Sequence, residues 1–354
     1  MNRREFLGSS IPVAAATSLG TVCAADALAQ EALPAPTASG TRKHPLPHNP
    51  RTAGAMPMRN LGRTGYRVGQ LSLGGQATIE IPGKEDESIA IINRAIDLGV
   101  NYIDSAASYG RGASQLHIGL VMQSRRKEVF LTSKTHDRTY DGSMRLMENT
   151  LESMKTDHLD LWQIHNLQRK DQLDQIFAKD GAMKALEKAR NEGMTSFLGV
   201  TGHYEPMILV EAIKRFPFDT ILMAVNAADR HYLSFIEHLL PVAQEMKLGI
   251  IGMKVVTRSR MLSTWTPPPA DQQPESARTT RPGTLTIQEA LAYNLSLPIS
   301  TNIIGVDNVK QIEENIAFAS TFTPLNEQQM RDLEKRTLPI VRQALYFRRW
   351  ELGA

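Results

Sequence analysis

Eight times along this chain a short apolar run of strand length is followed by a longer stretch with helical spacing. The runs are Leu71–Gly75, Asn101–Asp104, Val129–Lys134, Leu159–His165, Thr195–Thr201, Ile221–Val225, Leu248–Met253 and Ile299–Gly305. Between the first two, Ile89, Ile92, Ala95 and Ile96 share one helical face, and Gly99 is a stop signal. After the third, Met144, Met147, Leu151 and Met154 mark another helix. Thr286-Ile287-Gln288-Glu289 reads as a capping box opening the helix before the last strand. Strands joined through helices pair in parallel. Eight such units close most simply into a (β/α)8 barrel. An open doubly wound sheet is the alternative, and it usually carries a glycine fingerprint after its first strand. Gly110-Arg111-Gly112 begins one, but Gln115 stands at the third glycine position. No phosphate-binding GxxxxGK[ST] run occurs either. Ahead of the first strand, Met58 to Arg67 contains a hairpin-like Gly62-Arg63-Thr64-Gly65, placed to plug the bottom of a barrel.

The 354 residues are longer than this architecture needs, and the excess lies at the N-terminus. The chain opens with paired arginines, Arg3-Arg4, before Phe6-Leu7. An uncharged, Ala-rich run extends to Ala25, and Ala27-Leu28-Ala29 offers a cleavage site before Gln30. Basic start, apolar run and small residues in that order resemble a twin-arginine export signal over residues 1–29. The expected partner is that export machinery, and the expected location is the periplasm. Cleavage leaves 325 residues and removes Cys23, the only cysteine. A thiol-free chain suits an oxidising compartment. Residues 30–56, with Pro34, Pro36, Pro45, Pro47 and Pro50, read as a linker, and 57–354 as the barrel. A net charge of +3 with 22% charged residues gives no reason to expect nucleic acid. No stretch approaches the ~20 apolar residues of a spanning helix, so no membrane anchor is expected after cleavage.

Chemistry in such a barrel sits where the strands end. Asp104 ends the second strand and Tyr109 follows in its loop; Lys134 ends the third and His165 the fourth. Singly, each has an ordinary reading: a helix cap, a rim aromatic, a solvated strand end, a core histidine. As a set they come from three neighbouring strands. A lysine on a buried strand needs a partner, and Asp104 suits it. A nearby ammonium is expected to lower the phenol's pKa, which lets Tyr109 give or take a proton. A neutral histidine can bond the carbonyl oxygen where charge develops. The set describes proton-coupled carbonyl reduction, with no nucleophile and no metal ligands.

The motifs Asn101–Ala106 with Ser108-Tyr109-Gly110, Leu131–Lys134 and Leu161–Asn166 resemble the Asp-Tyr-Lys-His tetrad of the aldo-keto reductase family. The resemblance runs from about Met58 to the C-terminus. It implies a single (β/α)8 TIM barrel with an N-terminal hairpin and long βα loops. It also implies hydride transfer between NAD(P)(H) and a small-molecule carbonyl or alcohol, the substrate being an aldehyde, ketone or sugar. Tyr109 would be the general acid, Lys134 and Asp104 its tuning pair, and His165 the carbonyl's orienting group. The competing reading is an exported barrel without turnover, a nucleotide- or ligand-binding sensor or partner subunit.

The same resemblance extends to the nucleotide. Gly305–Asn315 is similar to the family's adenosine-phosphate motif, with Gln311, Glu314 and Asn315 at adenine and ribose positions. Thr201 and Asn226 match positions that hold the nicotinamide carboxamide, and Gly75 and Asn166 join this cofactor set. Two positions depart from the family. Gly305 and Asp307 stand where many members carry a basic or hydroxyl residue for the 2′-phosphate of NADP. Asp307 would repel that phosphate and accept a bond from a free 2′-hydroxyl, which moves the expectation from the family's NADP toward NAD. Met253 stands where an aromatic residue often stacks on the nicotinamide. Lys254 beside it either touches the nucleotide phosphates or is a solvated strand end. The long segment 257–285, with Trp265 and Pro267-Pro268-Pro269, reads as a lid or a loose insertion. The run Tyr346–Trp350 either closes the pocket or packs as a helix end.

Overall fold

The hairpin comes first and sits below everything else in the computed structural model, which describes residues 42–273 and 278–350. After the single-turn helix α1 (Thr52–Ala55), β1 (Met58–Asn60) pairs antiparallel with β2 (Arg67–Gly69). The turn between them buries Leu61 completely. Gly62 has φ +52°, and a Cβ there would lie 2.0 Å from the Gly249 nitrogen, so the turn is pressed against the base of a barrel strand. Arg63 hydrogen-bonds the Phe218 carbonyl at the foot of its neighbour. The expected plug is therefore in place.

Above it, β3 (Leu71–Gly74), β4 (Tyr102–Asp104), β5 (Phe130–Thr135), β6 (Leu159–Ile164), β7 (Thr195–Gly202), β8 (Thr220–Ala224), β9 (Gly249–Met253) and β10 (Thr301–Ile304) form a closed barrel. All neighbours pair in parallel, and β10 closes onto β3. Apart from Ser196, every residue of these eight strands is buried. That explains their nearly continuous apolar runs, because both faces are covered.

The helices packed outside are α2 (Glu85–Asp97), α3 (Ala113–Arg125), α4 (Tyr140–Ser153), α5 (Lys170–Ile176), α6 (Ala182–Glu192), α7 (Pro206–Arg215), α8 (Phe235–His238), α9 (Leu240–Glu245), α10 (Ile287–Ser296) and α11 (Val309–Thr321). Helices α12 (Glu327–Thr337) and α13 (Val341–Ala344) follow the barrel. On α2 the buried face is Ser88, Ile91, Ile92, Ala95 and Ile96. Ile89, expected on that face, is only half-buried, and Ile91 takes its place. The stripe is rotated by a fraction of a turn from the sequence reading. The capping box at the start of α10 is present in both directions, Thr286 with Glu289.

Residues 42–56 depart from the linker reading. Asn49 is buried and its amide bonds the Ile96 and Val100 carbonyls, at 2.8 and 3.1 Å. His44 stacks on His158 with ring centroids 3.7 Å apart, and His158 meets Asp157 at 2.6 Å. Thr52 and Met56 are buried. The prolines precede a single helical turn, α1, and side-chain contacts dock the segment on the barrel. The signal segment 1–29 and residues 30–41 lie outside the described residues. Among the described residues no helix is long and apolar enough to cross a membrane.

Candidate active site

Three consecutive parallel strands bring their C-terminal ends together at the top of the barrel. Asp104 ends β4, Lys134 lies near the end of β5, and His165 follows β6 directly. Tyr109 opens the 3-10 turn Tyr109–Gly112 that follows β4. The Lys134 ammonium donates to Asp104 Oδ2 at 2.5 Å, to the Ser105 carbonyl at 2.7 Å and to the Tyr109 hydroxyl at 3.4 Å. Thr132 donates to the other Asp104 oxygen at 3.2 Å. Asp104 and Lys134 are each 1% exposed, so the pair is sealed from solvent beneath the phenol. The His165 ring meets the Tyr109 ring edge-on, with centroids 5.7 Å apart. Its backbone is held by the Thr135 carbonyl at 2.8 Å and by Arg138, which donates to the His165 carbonyl at 2.7 Å.

The electrostatics correct one expectation. Enclosure of the Tyr109 hydroxyl, then the charges of Asp104 and Glu80, push the phenol's pKa well above its ordinary value. The expected net lowering does not occur: enclosure and the two carboxylates outweigh the Lys134 ammonium, which also pairs with Asp104. Burial lowers the Lys134 pKa, with Asp104 opposing. Burial, and then Lys134, hold His165 well below the ordinary imidazole range, so it is neutral at physiological pH as expected.

Two adjoining cavities open here. The larger, about 490 Å³, runs from Tyr109 and Asp104 across the ends of β3, β9 and β10 to the start of α11. Gly75, Met253, Lys254, Gly305, Asp307, Gln311, Glu314 and Asn315 all line it. The smaller holds Tyr109, Lys134 and His165, together with Asn166, Thr201, Met253 and Lys254. Asn226 lines neither. Its amide bonds the Lys254 carbonyl at 3.1 Å, and its oxygen accepts from the Ala228 N–H at 2.9 Å. It thus anchors the backbone beneath Lys254. Gln76, Glu80 and His203 belong to these walls without having stood out in the sequence, and Arg258, from the long segment after β9, joins them. Arg258 reaches Glu80 across the cleft at 3.2 Å, joining residues 178 positions apart, a contact no local pattern announces.

The described residues of the long segment after β9 are tied to the C-terminal helix at two points. Gln343 bonds the Arg260 and Arg281 carbonyls at 2.7 and 3.0 Å. Its first residues, Val255 to Ser259, wall the large cavity. The C-terminal run packs beside the small one: Phe347 meets the His203 ring edge-on at 5.4 Å. Trp350 stacks on Tyr232 at 4.0 Å.

Residues 68–337 match the sequence pattern of the Aldo/keto reductase family. The chain belongs to this family. Its relatives include the Bacillus subtilis protein YqkF, named as an uncharacterized oxidoreductase. That protein is 24% identical over 315 residues, 80% of this chain and 97% of the relative. The L-galactose dehydrogenase of Arabidopsis thaliana is 27% identical over 297 residues, 77% of this chain and 91% of that one. The crystal structure of an aldo-keto reductase from Klebsiella pneumoniae in complex with NADPH shares the fold. Its TM-score is 0.60 at 21% identity, covering 77% of this chain and 92% of that one. Aldo/keto reductases use NAD(P)H.

The walls of this aldo/keto reductase's large cavity fit such a nucleotide. A Cβ on Gly75 would lie 2.6 Å from both the Asp104 carbonyl and Ser114 Oγ, and one on Gly305 would lie 3.1 Å from the Gln76 carbonyl. The glycines keep the cleft floor as bare backbone. Gln311, Glu314 and the buried Asn315 furnish polar groups at one end. Lys254 supplies a cation nearer the phenol.

Proposed function

We propose that this aldo/keto reductase transfers a hydride between NAD(P)(H) and an aldehyde, ketone or sugar, with Tyr109 as general acid and base. The carrying observation is the convergence of Tyr109, Lys134, Asp104 and His165 on one cavity, with the ammonium 3.4 Å from the phenol. When bound, the nucleotide supplies or takes up the hydride. Tyr109 gives its proton to the carbonyl oxygen in reduction and recovers it from the alcohol in oxidation. A phenol with a raised pKa keeps its proton until that oxygen gains charge. Lys134 then stabilises the phenolate at short range, in surroundings of low dielectric. Neutral His165 donates to the same oxygen and orients it. Replacing Tyr109 with Phe is expected to lower carbonyl reduction by at least about 100-fold while nucleotide titration persists. Undiminished turnover would overturn the assignment.

Residues at the α11 end of the cleft favour NAD(H) over NADP(H). Asp307 and Glu314 are both carboxylates, and the nearby Lys310 is exposed and pairs with Glu314 at 3.7 Å. On the N-terminal sequence we further propose export by the twin-arginine route to the periplasm. Free nicotinamide nucleotides are scarce there, so the nucleotide is loaded before export and retained. Mass analysis of a denatured extract of protein taken from the periplasm tests this. An extract without nucleotide would refute retention.

A further inference from the structure

We propose that the small cavity is built for a polyhydroxylated carbonyl compound, with Asn166 and His203 accepting hydrogen bonds from its hydroxyls. The proposal rests on the reading of the Tyr109 cavity as the reaction centre. Asn166 Oδ1 and His203 Nδ1 are both buried and have no hydrogen-bond partner among the described residues. Both residues line the same cavity as Tyr109 and His165. Buried polar atoms in folded proteins are nearly always paired, so two orphans in one functional cavity point to a ligand.

Each orphan is held in place. Asn166 has φ +50°, a backbone state few side chains tolerate and asparagine accepts best. Its N–H donates to Thr201 Oγ1 at 2.8 Å, and its carbonyl accepts from Arg138 at 3.1 Å. The His203 ring is fixed edge-on against Phe347, and the His203 carbonyl accepts from Arg348 at 3.3 Å. Burial, then the charge of Lys254, lowers the His203 pKa to about 3, so the ring is neutral. The Phe347 backbone hydrogen-bonds the ring and opposes that lowering. Nδ1, buried and without a partner among the described residues, offers a lone pair when the ring proton sits on Nε2.

Two acceptors call for two donors. Alkyl and aryl groups have none, and a carboxylate would be repelled by both. Adjacent hydroxyls supply donors to Asn166 and His203, and their oxygens can accept from Lys254. That ammonium lines the same cavity, and the charges of Glu80 and Asp104 act on it from the walls. An unhydroxylated substrate leaves the orphans unpaired, and sites of this type discriminate strongly against such analogues.

The test compares glyceraldehyde with propanal, two three-carbon aldehydes that differ in their hydroxyls. The unmodified protein is expected to favour glyceraldehyde in kcat/KM by at least about 100-fold. Asn166→Ala and His203→Leu should each cut that ratio by roughly tenfold, whereas Asn166→Asp, which keeps an acceptor, should retain it. The nucleotide's carboxamide is a second source of a donor for Asn166. An Asn166→Ala protein with weakened nucleotide binding and an unchanged substrate ratio would assign the residue there and overturn the proposal. Calorimetry of the nucleotide-loaded protein with erythritol and with 1-butanol separates this inference from the reductase reading. Tighter erythritol binding that is lost in both variants sustains the inference even if no carbonyl is reduced. A kcat/KM ratio near one, with no advantage for erythritol, overturns it even if reduction is fast.

Discussion

Lys254 stands at the junction of the two cavities, with φ +64° and a half-buried side chain. Burial, and then the neighbouring Arg258, lower its pKa to about 8. An unfolded chain titrates this lysine near ~10.4. Below about 8 it is charged in both states, and the fold carries the full penalty of enclosing the charge. From about 8 upward the folded protein has lost the proton and the penalty fades. In nucleotide-free protein, Lys254→Met is therefore expected to raise Tm at pH 7, and the advantage should shrink toward pH 10. Thermal scans across that range check it; a constant gain, or none, contradicts the account. The same substitution should weaken nucleotide binding at pH 7, since it removes a cation from the cleft. At the other end, the Asp307 N–H donates to Gln311 Oε1 at 2.8 Å and Gln311 Nε2 donates to Asp307 Oδ2 at 3.3 Å, which holds the carboxylate at the cavity wall. NAD(H) is expected to bind at least as tightly as NADP(H). Asp307→Ser should shift the ratio toward NADP(H) by roughly tenfold, about 1.4 kcal/mol. Titration of both nucleotides decides it, and tenfold tighter NADP binding by the unmodified protein would sink the NAD preference.

Single elements differ in how far their sequence announces their contacts. The capping box of α10 is a local device, written within four residues and present as expected. Thr286→Ala should cost about 1 kcal/mol in urea unfolding. The hairpin turn between β1 and β2 is a contact between distant parts of the chain. A methyl group on Gly62 would meet Gly249 and Leu248 backbone, and φ is positive as well. Gly62→Ala is expected to cost at least about 3 kcal/mol, because neither backbone can give way. Gly62 lies at the foot of the barrel, away from the cavities, so the folded fraction of that variant should titrate nucleotide normally. The tetrad was legible for the same reason that α10 was. Asp104, Lys134 and His165 lie at or beside strand ends and Tyr109 in the short turn after β4, and strand ends can be read from runs of a few residues. Glu80 closes a 3-10 turn and Arg258 lies in the long segment after β9, where position along the chain does not predict position in space; His203 directly follows β7, a strand end the sequence reading passed over.

Across the whole molecule, the C-terminal segment is tied into the barrel by charge. Arg348 and Asp229 form an ion pair with no side-chain exposure. Arg348 also donates to the Ala224 carbonyl at 3.1 Å, at the end of β8. Asp229 accepts from Ser234 and from the Phe235 and Ile236 N–H groups. Removing one member of such a pair leaves a buried charge alone. Arg348→Met is expected to destabilise by about 3–5 kcal/mol in chemical denaturation. Loss of less than about 1 kcal/mol would show that water reaches Asp229 readily. Because Arg348 also holds the His203 carbonyl, the folded variant should bind substrate more weakly than it binds nucleotide.

The sequence alone determined the barrel, the bottom plug and the four residues at its top. Those features follow from periodicity within short segments and from the rule that parallel strands end at one rim. The tertiary structure alone decided the rest. It raised the Tyr109 pKa instead of lowering it, because the hydroxyl is enclosed and the charges of Asp104 and Glu80 lie beside it. It took Asn226 out of the cavity wall and made it the support of Lys254. It folded residues 42–56 onto the barrel, and it left Asn166 and His203 with unpaired acceptors in one cavity. Each of these outcomes depends on distances between side chains far apart in the chain. Charge, burial and hydrogen bonding act through those distances, and a linear pattern does not contain them.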